Sequence, residues 1–356
     1  MPIFKDMLSS NETLFKNAVA LDYDYLPKLI PYRENQQMHM ASCIKPLFSN
    51  RSGRNLIIHG TPGIGKTVAC KKVLEELEEE TEEIIPLYIN CWQKNSTYKV
   101  IVELCDILGY KFVQNKGTEE LFKIVKERLN KSCSVLVFDE IDKIEDYDFL
   151  YSILEEIYRK SIFLITNHKE WISTIDQRIR SRLIPDILEF KQYNRTEMQG
   201  ILSERIKSAF YDDVFNLDAF TKIVEKATEI GDVRTGLYLL RESATLAEDK
   251  SSRKVTVEFV DQAVEKLDEF SIKESDELED DTNFILDLIK ENSGLKIGDL
   301  YKIYQEKGGS AVYKTFHRKI KKLESGKFIT LERLPGGAQG NTSIIKFNNY
   351  KKLTEF

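Results

Sequence analysis

The sequence predicts an α/β protein: a parallel sheet wrapped by helices, then a small four-helix domain, then a C-terminal unit of three helices and a β-hairpin. Three observations carry that reading. Five short apolar runs recur between residues 55 and 190 with helical patterns between them, and none of the five alternates polar with apolar. The glycine-rich stretch GTPGIGKT (60–67) sits directly behind the first run. Beyond Asn194 the runs stop and helix-period segments follow one another.

The five runs are NLIIH (55–59), IIPLYIN (84–90), SVLVFDE (134–140), SIFLITN (161–167) and DILEF (186–190). Unbroken Val, Ile, Leu and Phe mark strands buried on both faces. Strands alternating with helices predict parallel pairing, and this domain covers residues 1–192. Next, RTEMQGILSERIKSAF, NLDAFTKIVEKATEI, GDVRTGLYLLRESATLAEDK and TVEFVDQAVEKLDEF read as four helices over 193–270. The acidic stretch 271–281 reads as a linker, and 282–356 as the third unit.

A chain of 356 residues is too long for one small core. Hydrophobic residues at 42% and charged ones at 31% fit an ordinary globular protein. No apolar run has the length of a membrane span, and MPIFKDMLSSNETLF lacks the layout of a signal peptide. The five cysteines form no C-x-x-C pair and the four histidines show no ligand spacing. The pattern therefore predicts neither zinc nor disulfide staples, and a reducing cytoplasm. Net charge is −6, but its distribution is uneven: 75–83 and 273–281 are acidic and YKTFHRKIKK (313–322) is basic.

GTPGIGKT satisfies G-x-x-x-x-G-K-[ST] through Gly60, Gly65, Lys66 and Thr67, after a strand and before the helical pattern KTVACKKVLEEL. Glycines there let backbone N–H groups close on phosphate oxygens, and the helix start adds the positive end of its dipole. Lys66 is placed to reach the β- and γ-phosphates and Thr67 to ligate Mg²⁺. The nucleotide-binding set comprises Thr61, Pro62, Gly63, Ile64, Gly65, Lys66, Thr67 and Val68. VLVFDE ends a neighbouring strand in Asp139, suited to the Mg²⁺ shell, and Glu140, suited to polarising an attacking water. That acid pair points to ATP hydrolysis. Asn167 stands at another strand tip, either to orient the water or contact the γ-phosphate, or as a simple turn residue. In DQRIRSRL, Arg178, Arg180 and Arg182 form a basic cluster, from which one arginine can complete a neighbour's site. Arg234 in GDVRTG opens a later helix and can fold back onto bound phosphates.

In this order, the phosphate loop, the DE strand, the strand-end asparagine, the S-R pair and the later arginine resemble an AAA+ ATPase with a helical lid. The resemblance implies a sensor role for Asn167 and a lid-sensor role for Arg234. It makes Arg182 the arginine finger, with Arg178 in reserve. Further stretches resemble the archaeal replication initiators related to the origin recognition complex and its cell-division-control partner. They are LPKLIPYRE (26–34), YINCWQKNSTYKVIVELCDILG (88–109), IDQRIRSRLIPDILEFKQYN and GDVRTGLYLLRESATLAE, and with the tail they span nearly the whole chain. The resemblance implies that Pro31, Tyr32 and Arg33 lie against adenine.

The tail supplies a second partner. In SAVYKTFHRKIKKLESGKF, Val312, Phe316, Ile320 and Leu323 fall on one stripe at helical spacing and are expected in a core, with Ser310 as N-cap. Lys314, Arg318 and Lys321 then share the opposite face. Residues 311–334 hold seven Lys/Arg against two Glu. A basic helix followed by a hairpin resembles a winged helix, whose helix enters the major groove of DNA. The DNA-facing set is Lys314, His317, Arg318, Lys321 and Lys322, with backbone N–H groups of Gly336 and Gly337 in a wing tip that carries no Lys or Arg.

Together these imply an origin-binding initiator that uses ATP or ADP with Mg²⁺ as a latch, hydrolyses slowly, helps load a replicative helicase and self-associates through an arginine finger. It is expected in the cytoplasm, at the nucleoid and off the membrane. A branch-migration type AAA+ motor and a plasmid or mobile-element regulator are the alternatives.

Overall fold

Each of the five apolar runs becomes a strand. The computed structural model describes residues 13–276, 280–309, 311–325, 328–337 and 340–347. The chain divides into two units, Met1–Ala263 and Val264–Phe356. In the first, α1 (Glu34–Ile44) leads to β1 (Leu56–His59), α2 (Lys66–Glu80), β2 (Ile84–Asn90), α3 (Thr97–Ile107) and α4 (Thr118–Leu129). Then come β3 (Cys133–Asp139), α5 (Asp148–Glu156), β4 (Lys160–Thr166), α6 (Gln177–Leu183) and β5 (Asp186–Glu189). The strands pair in parallel in the order β2-β3-β4-β1-β5.

Burial follows position in that order. Every residue of β1 and β3 is buried, as is all of β4 past its first residue. The two outer strands, β2 and β5, are only partly covered. Apolar runs alone cannot distinguish centre from edge, because both are rich in Val and Ile. The register sets His59 beside Thr166 and Asn90 beside Asp139. The carboxyl ends of the strands therefore meet along one rim, where open α/β sheets bind ligands.

The helical domain comprises α7 (Arg195–Ala209), α8 (Leu217–Ile230), α9 (Val233–Asp249) and α10 (Val257–Asp276). A capping box, Asn194 with Glu197, starts α7, a device worth about 1 kcal/mol. Gly236 lets α9 approach α7, since a Cβ there would sit 2.7 Å from the methyl carbons of Leu202. Two boundaries differ from those read in the sequence. The amino-terminal segment, assigned to the α/β domain, docks on the helical one: Phe15 stacks on Phe210 at 4.9 Å, and Lys16 N–H donates to Ala209 O at 2.8 Å. The acidic stretch read as a linker over 271–281 is helical from 271 to Asp276, because α10 runs on into it.

The second unit begins within α10, at Val264, and contains α11 (Asp280–Glu291), α12 (Ile297–Glu306), α13 (Tyr313–Ser325) and the antiparallel hairpin of β6 (Ile329–Gly337) and β7 (Gly340–Phe347). Tyr304, Phe316, Ile320, Leu323 and Ile345 bury in its core. Three helices closed by a hairpin make a winged helix. Among the described residues, no helix is long and apolar enough to cross a membrane.

Candidate nucleotide site and basic helix

Three glycines shape the loop between β1 and α2. Gly60, Gly63 and Gly65 take φ of +151°, +71° and +88°, where a Cβ is strained. Space is equally short: a Cβ on Gly63 would fall 1.9 Å from Asp232 Oδ1, so the loop is pressed against the start of α9. Lys66 opens α2, and its Nζ donates to Gly60 O, Thr61 O and Asn167 Oδ1, each at 2.8 Å. Burial lowers its pKa from 10.5 to about 8, with Arg234 acting in the same direction and Asp139 opposing.

The carboxylates lie at the end of β3, two strands along the rim from β1. Asp139 Oδ2 accepts from Thr67 Oγ1 at 2.6 Å and from Tyr88 OH at 2.7 Å, while its Oδ1 accepts from the Glu140 N–H at 2.9 Å. These three bonds hold the Asp139 carboxylate in one orientation. Glu140 adopts φ 53°, ψ 42°, a left-handed conformation that costs a non-glycine residue roughly 1 kcal/mol or more. Burial, then the neighbouring Asp139 and Asp142, hold the Glu140 carboxyl above the usual carboxylate range.

These groups line one cavity of about 1120 Å³. Its walls include Pro31, Tyr32, Pro62, Gly63, Ile64, Gly65, Lys66, Thr67 and Val68, together with Asp139, Glu140, Asn167 and Arg234. The sheet rim, the amino-terminal segment and the helical domain all contribute. Arg234 is the second residue of α9, which Asp232 caps by accepting the Arg234 N–H at 2.7 Å.

Arg33 requires a correction. Expected against the base, it is 4% exposed and lies behind the loop. Its Nε and Nη2 donate to Ile64 O at 3.2 and 3.1 Å, and Nη2 also to Lys191 O at 2.6 Å. Its guanidinium stacks 3.8 Å over the ring of Tyr193. A planar five-donor group finds more acceptors among these carbonyls than against a base. Thr61, also expected at the ligand, contributes its carbonyl to Lys66 and has an exposed side chain off the cavity wall. Arg33→Ala should destabilise the protein by about 2–4 kcal/mol, by leaving two carbonyls unpaired; a urea midpoint equal to that of the parent would contradict this role.

Lys66 also predicts a pH profile. Its folded pKa lies below the ordinary value, so the unfolded chain holds this proton more tightly. Its contribution to stability therefore rises with pH between about 8 and 10.5. Phosphate needs the charged form, so affinity for ADP should fall as pH rises past about 8, approaching tenfold per pH unit. Titration calorimetry across that range checks it, and a flat profile would exclude Lys66 as the titrating partner.

Arg182, expected to project, is tied down on its own molecule. It pairs with Glu155, donates to Arg178 O at 3.1 Å, and lies 5.1 Å over Tyr151. Arg178 pairs with Asp176 at 3.2 Å, with its side chain 75% exposed.

In α13, Phe316, Ile320 and Leu323 are fully buried, and Lys314, Arg318 and Lys321 are exposed opposite them. His317 is partly exposed. Val312 departs from expectation: it is 67% exposed, because the helix begins only at Tyr313 and Val312 acts as its cap, accepting from Thr315 N–H at 2.9 Å. Gly336 and Gly337 end β6. Ser310 and the Lys322 side chain lie outside the described residues.

Three contributors went unread in the sequence. Tyr88 holds Asp139, Tyr193 floors Arg33, and Asp232 meets Gly63. For Tyr88 a signal existed, since it stands two residues before the end of the strand beside β3.

The chain is similar to known proteins over nearly all of this architecture. Residues 50–170 match the model of an AAA domain, and 199–265 that of a Cdc6 AAA+ ATPase-type lid domain. It is 32% identical to ORC1-type DNA replication protein 2 of Archaeoglobus fulgidus, over 92% of this chain and 89% of that protein. It is 28% identical to ORC1-type DNA replication protein 2 of Methanothermobacter thermautotrophicus, over 96% and 94%. Among solved structures it resembles the Aeropyrum pernix ORC1 protein in complex with DNA, with TM-score 0.73 and 23% identity over 95% of this chain and 94% of that one. With a phosphate loop, a strand-end acid pair, a matching lid and relatives of this identity and coverage, the chain belongs to the family of ORC1-type DNA replication proteins, AAA+ ATPases with a Cdc6-type lid.

Proposed function

We propose that this protein is a replication initiator that binds ATP or ADP with Mg²⁺, hydrolyses ATP slowly, grips duplex origin DNA and helps load a replicative helicase. The observation that carries this reading is the single cavity shared by Lys66, Asn167, the Thr67–Asp139 pair, Glu140 and Arg234. Its components come from both the sheet rim and the lid, so a triphosphate held there bridges the two. Nucleotide state then biases the lid's posture, and with it the moment at which the basic helix engages DNA.

Each residue has a task in that reading. Lys66 neutralises the β- and γ-phosphates, and Arg234 reports the γ-phosphate to the lid. Glu140 takes the proton of an attacking water that Asn167 orients. Thr67 and Asp139, two hard oxygen donors 2.6 Å apart, suit Mg²⁺. Bound there, Mg²⁺ supplies charge neutralisation along the phosphates. Pro31 and Tyr32 face the base. Self-association uses the α6 arginines: Arg182 must first leave Glu155, while Arg178 already reaches solvent.

DNA contact rests on Lys314, Arg318 and Lys321, with His317, Lys322 and the Gly336–Gly337 backbone at the margins. Replacing Lys314, Arg318 and Lys321 together with Ala should weaken duplex binding and flatten its log–log salt dependence by roughly three, if each meets one phosphate. Equal affinity before and after would remove α13 from the interface. Turnover and assembly test the whole reading: slow hydrolysis unresponsive to DNA supports a latch, whereas DNA-stimulated hydrolysis by hexamers would replace it with a motor. A footprint confined to mobile elements would reassign the target from a chromosomal origin.

A further inference from the structure

Away from the nucleotide cavity, at the amino end of the outer strand β5, three chemically different donors converge. His39 and Cys43 lie four residues apart on α1 and so share one face of that helix. Asp186 opens β5. His39 Nε2 lies 3.7 Å from Asp186 Oδ2, Cys43 Sγ lies 3.8 Å from the same oxygen, and the three atoms fall within 4.8 Å of one another. Tetrahedral coordination at about 2.0–2.3 Å separates its ligands by roughly 3.3–3.8 Å, so the triangle is close to that spacing.

A second observation is independent of the spacing. His39 Nε2 is buried and has no hydrogen-bond partner. At 3.7 Å, Asp186 is too distant to serve as one. A buried imidazole nitrogen without a partner is costly, and a cation at the centre of the triangle would satisfy it.

The surroundings hold the triangle still. Arg54 donates from Nη1 to Asp186 Oδ2 at 2.7 Å, from Nη2 to Ser42 Oγ at 2.8 Å, and from its backbone N–H to Cys43 O at 2.9 Å. An outer partner of this kind orients a ligating carboxylate. Neighbouring Gly53 packs so closely that a Cβ would sit 2.8 Å from Cys43 O.

We propose that His39, Cys43 and Asp186 bind a divalent cation of the zinc class, with solvent in the fourth position. One sulfur, one nitrogen and one oxygen suit a borderline-soft ion and disfavour Mg²⁺ or Ca²⁺, which take oxygen sets. On binding, the Cys43 S–H bond is replaced by a sulfur–metal bond and the proton passes to solvent. Thiolate and carboxylate then bring two negative charges to the ion, the carboxylate being shared with the Arg54 guanidinium. The ion fastens α1 to β5. Sequence spacing hid the site because Asp186 is 143 residues from Cys43.

Co²⁺ is the probe, because its thiolate complexes absorb by charge transfer, whereas cobalt on phosphate and carboxylate oxygens does not. The full-length protein, stripped of metal and then saturated with Mg²⁺ and ADP, is titrated with Co²⁺. One equivalent per chain, with tetrahedral d–d bands and a thiolate-to-cobalt band, is expected. Cys43→Ser should remove the thiolate band. His39→Ala, a partly exposed position that leaves the core intact, should weaken binding by at least the ~10–100-fold seen when an outer partner is lost. Absence of the thiolate band in the parent, its persistence in Cys43→Ser, or undiminished affinity in His39→Ala would each overturn the proposal.

Discussion

Glu140→Gln is expected to keep nucleotide bound and to reduce turnover by ~100–10,000-fold, the usual span for removing a general base. The amide matches the carboxylate in shape, so the left-handed backbone at φ 53° and the Glu140 N–H bond to Asp139 are retained. What is lost is the capacity to take a proton. Burial and the adjoining Asp139 and Asp142 already raise the Glu140 pKa, which makes the carboxylate a stronger base. It follows that parent turnover should decline as pH falls through that raised value, and the residual turnover of the variant should not. Single-turnover phosphate release, with ADP binding measured alongside, separates the two effects. Unchanged release would take Glu140 out of the reaction.

Lys66→Ala should abolish ATP binding at ordinary concentrations. Lys66 is 6% exposed, and its ammonium group serves three acceptors at 2.8 Å. Truncation removes a cation at the root of the loop and leaves Gly60 O, Thr61 O and Asn167 Oδ1 without this donor. A charged hydrogen bond contributes about 1.5–3 kcal/mol, and Lys66 makes several to phosphate oxygens in the proposed complex. Losing two of them lowers affinity by roughly 100-fold or more. Fluorescent-ADP binding measures this, and circular dichroism confirms that the variant is folded. Retained affinity would show that backbone N–H groups and the α2 dipole suffice for the phosphates. That outcome would count against the cavity's proposed chemistry rather than against the family assignment.

Much of this architecture could be read from the residues. The five apolar runs became β1 to β5 with ends shifted by a residue or so, because a run buried on both faces is a local property of the chain. Lys66, Thr67, Asp139, Glu140, Asn167 and Arg234 converge on one cavity. Glycine placement and strand ends anticipated that convergence, since parallel strands bring their carboxyl ends to a common rim. Val312 falls one residue outside the helix and is exposed, because the stripe of Phe316, Ile320 and Leu323 continues in sequence past the point where α13 begins.

Side chains that choose among distant partners were a different matter. Arg33 went to the carbonyls of Ile64 and Lys191, Arg182 to Glu155, and Tyr88 to Asp139. His39 and Cys43 met Asp186 across the packing of α1 on the sheet edge. Backbone periodicity, turn glycines and strand-end acids act within a few residues, so the order of amino acids suffices to place them. A guanidinium, phenol or imidazole takes whichever acceptor three-dimensional packing brings within about 3 Å, and that neighbourhood exists only once the chain has folded.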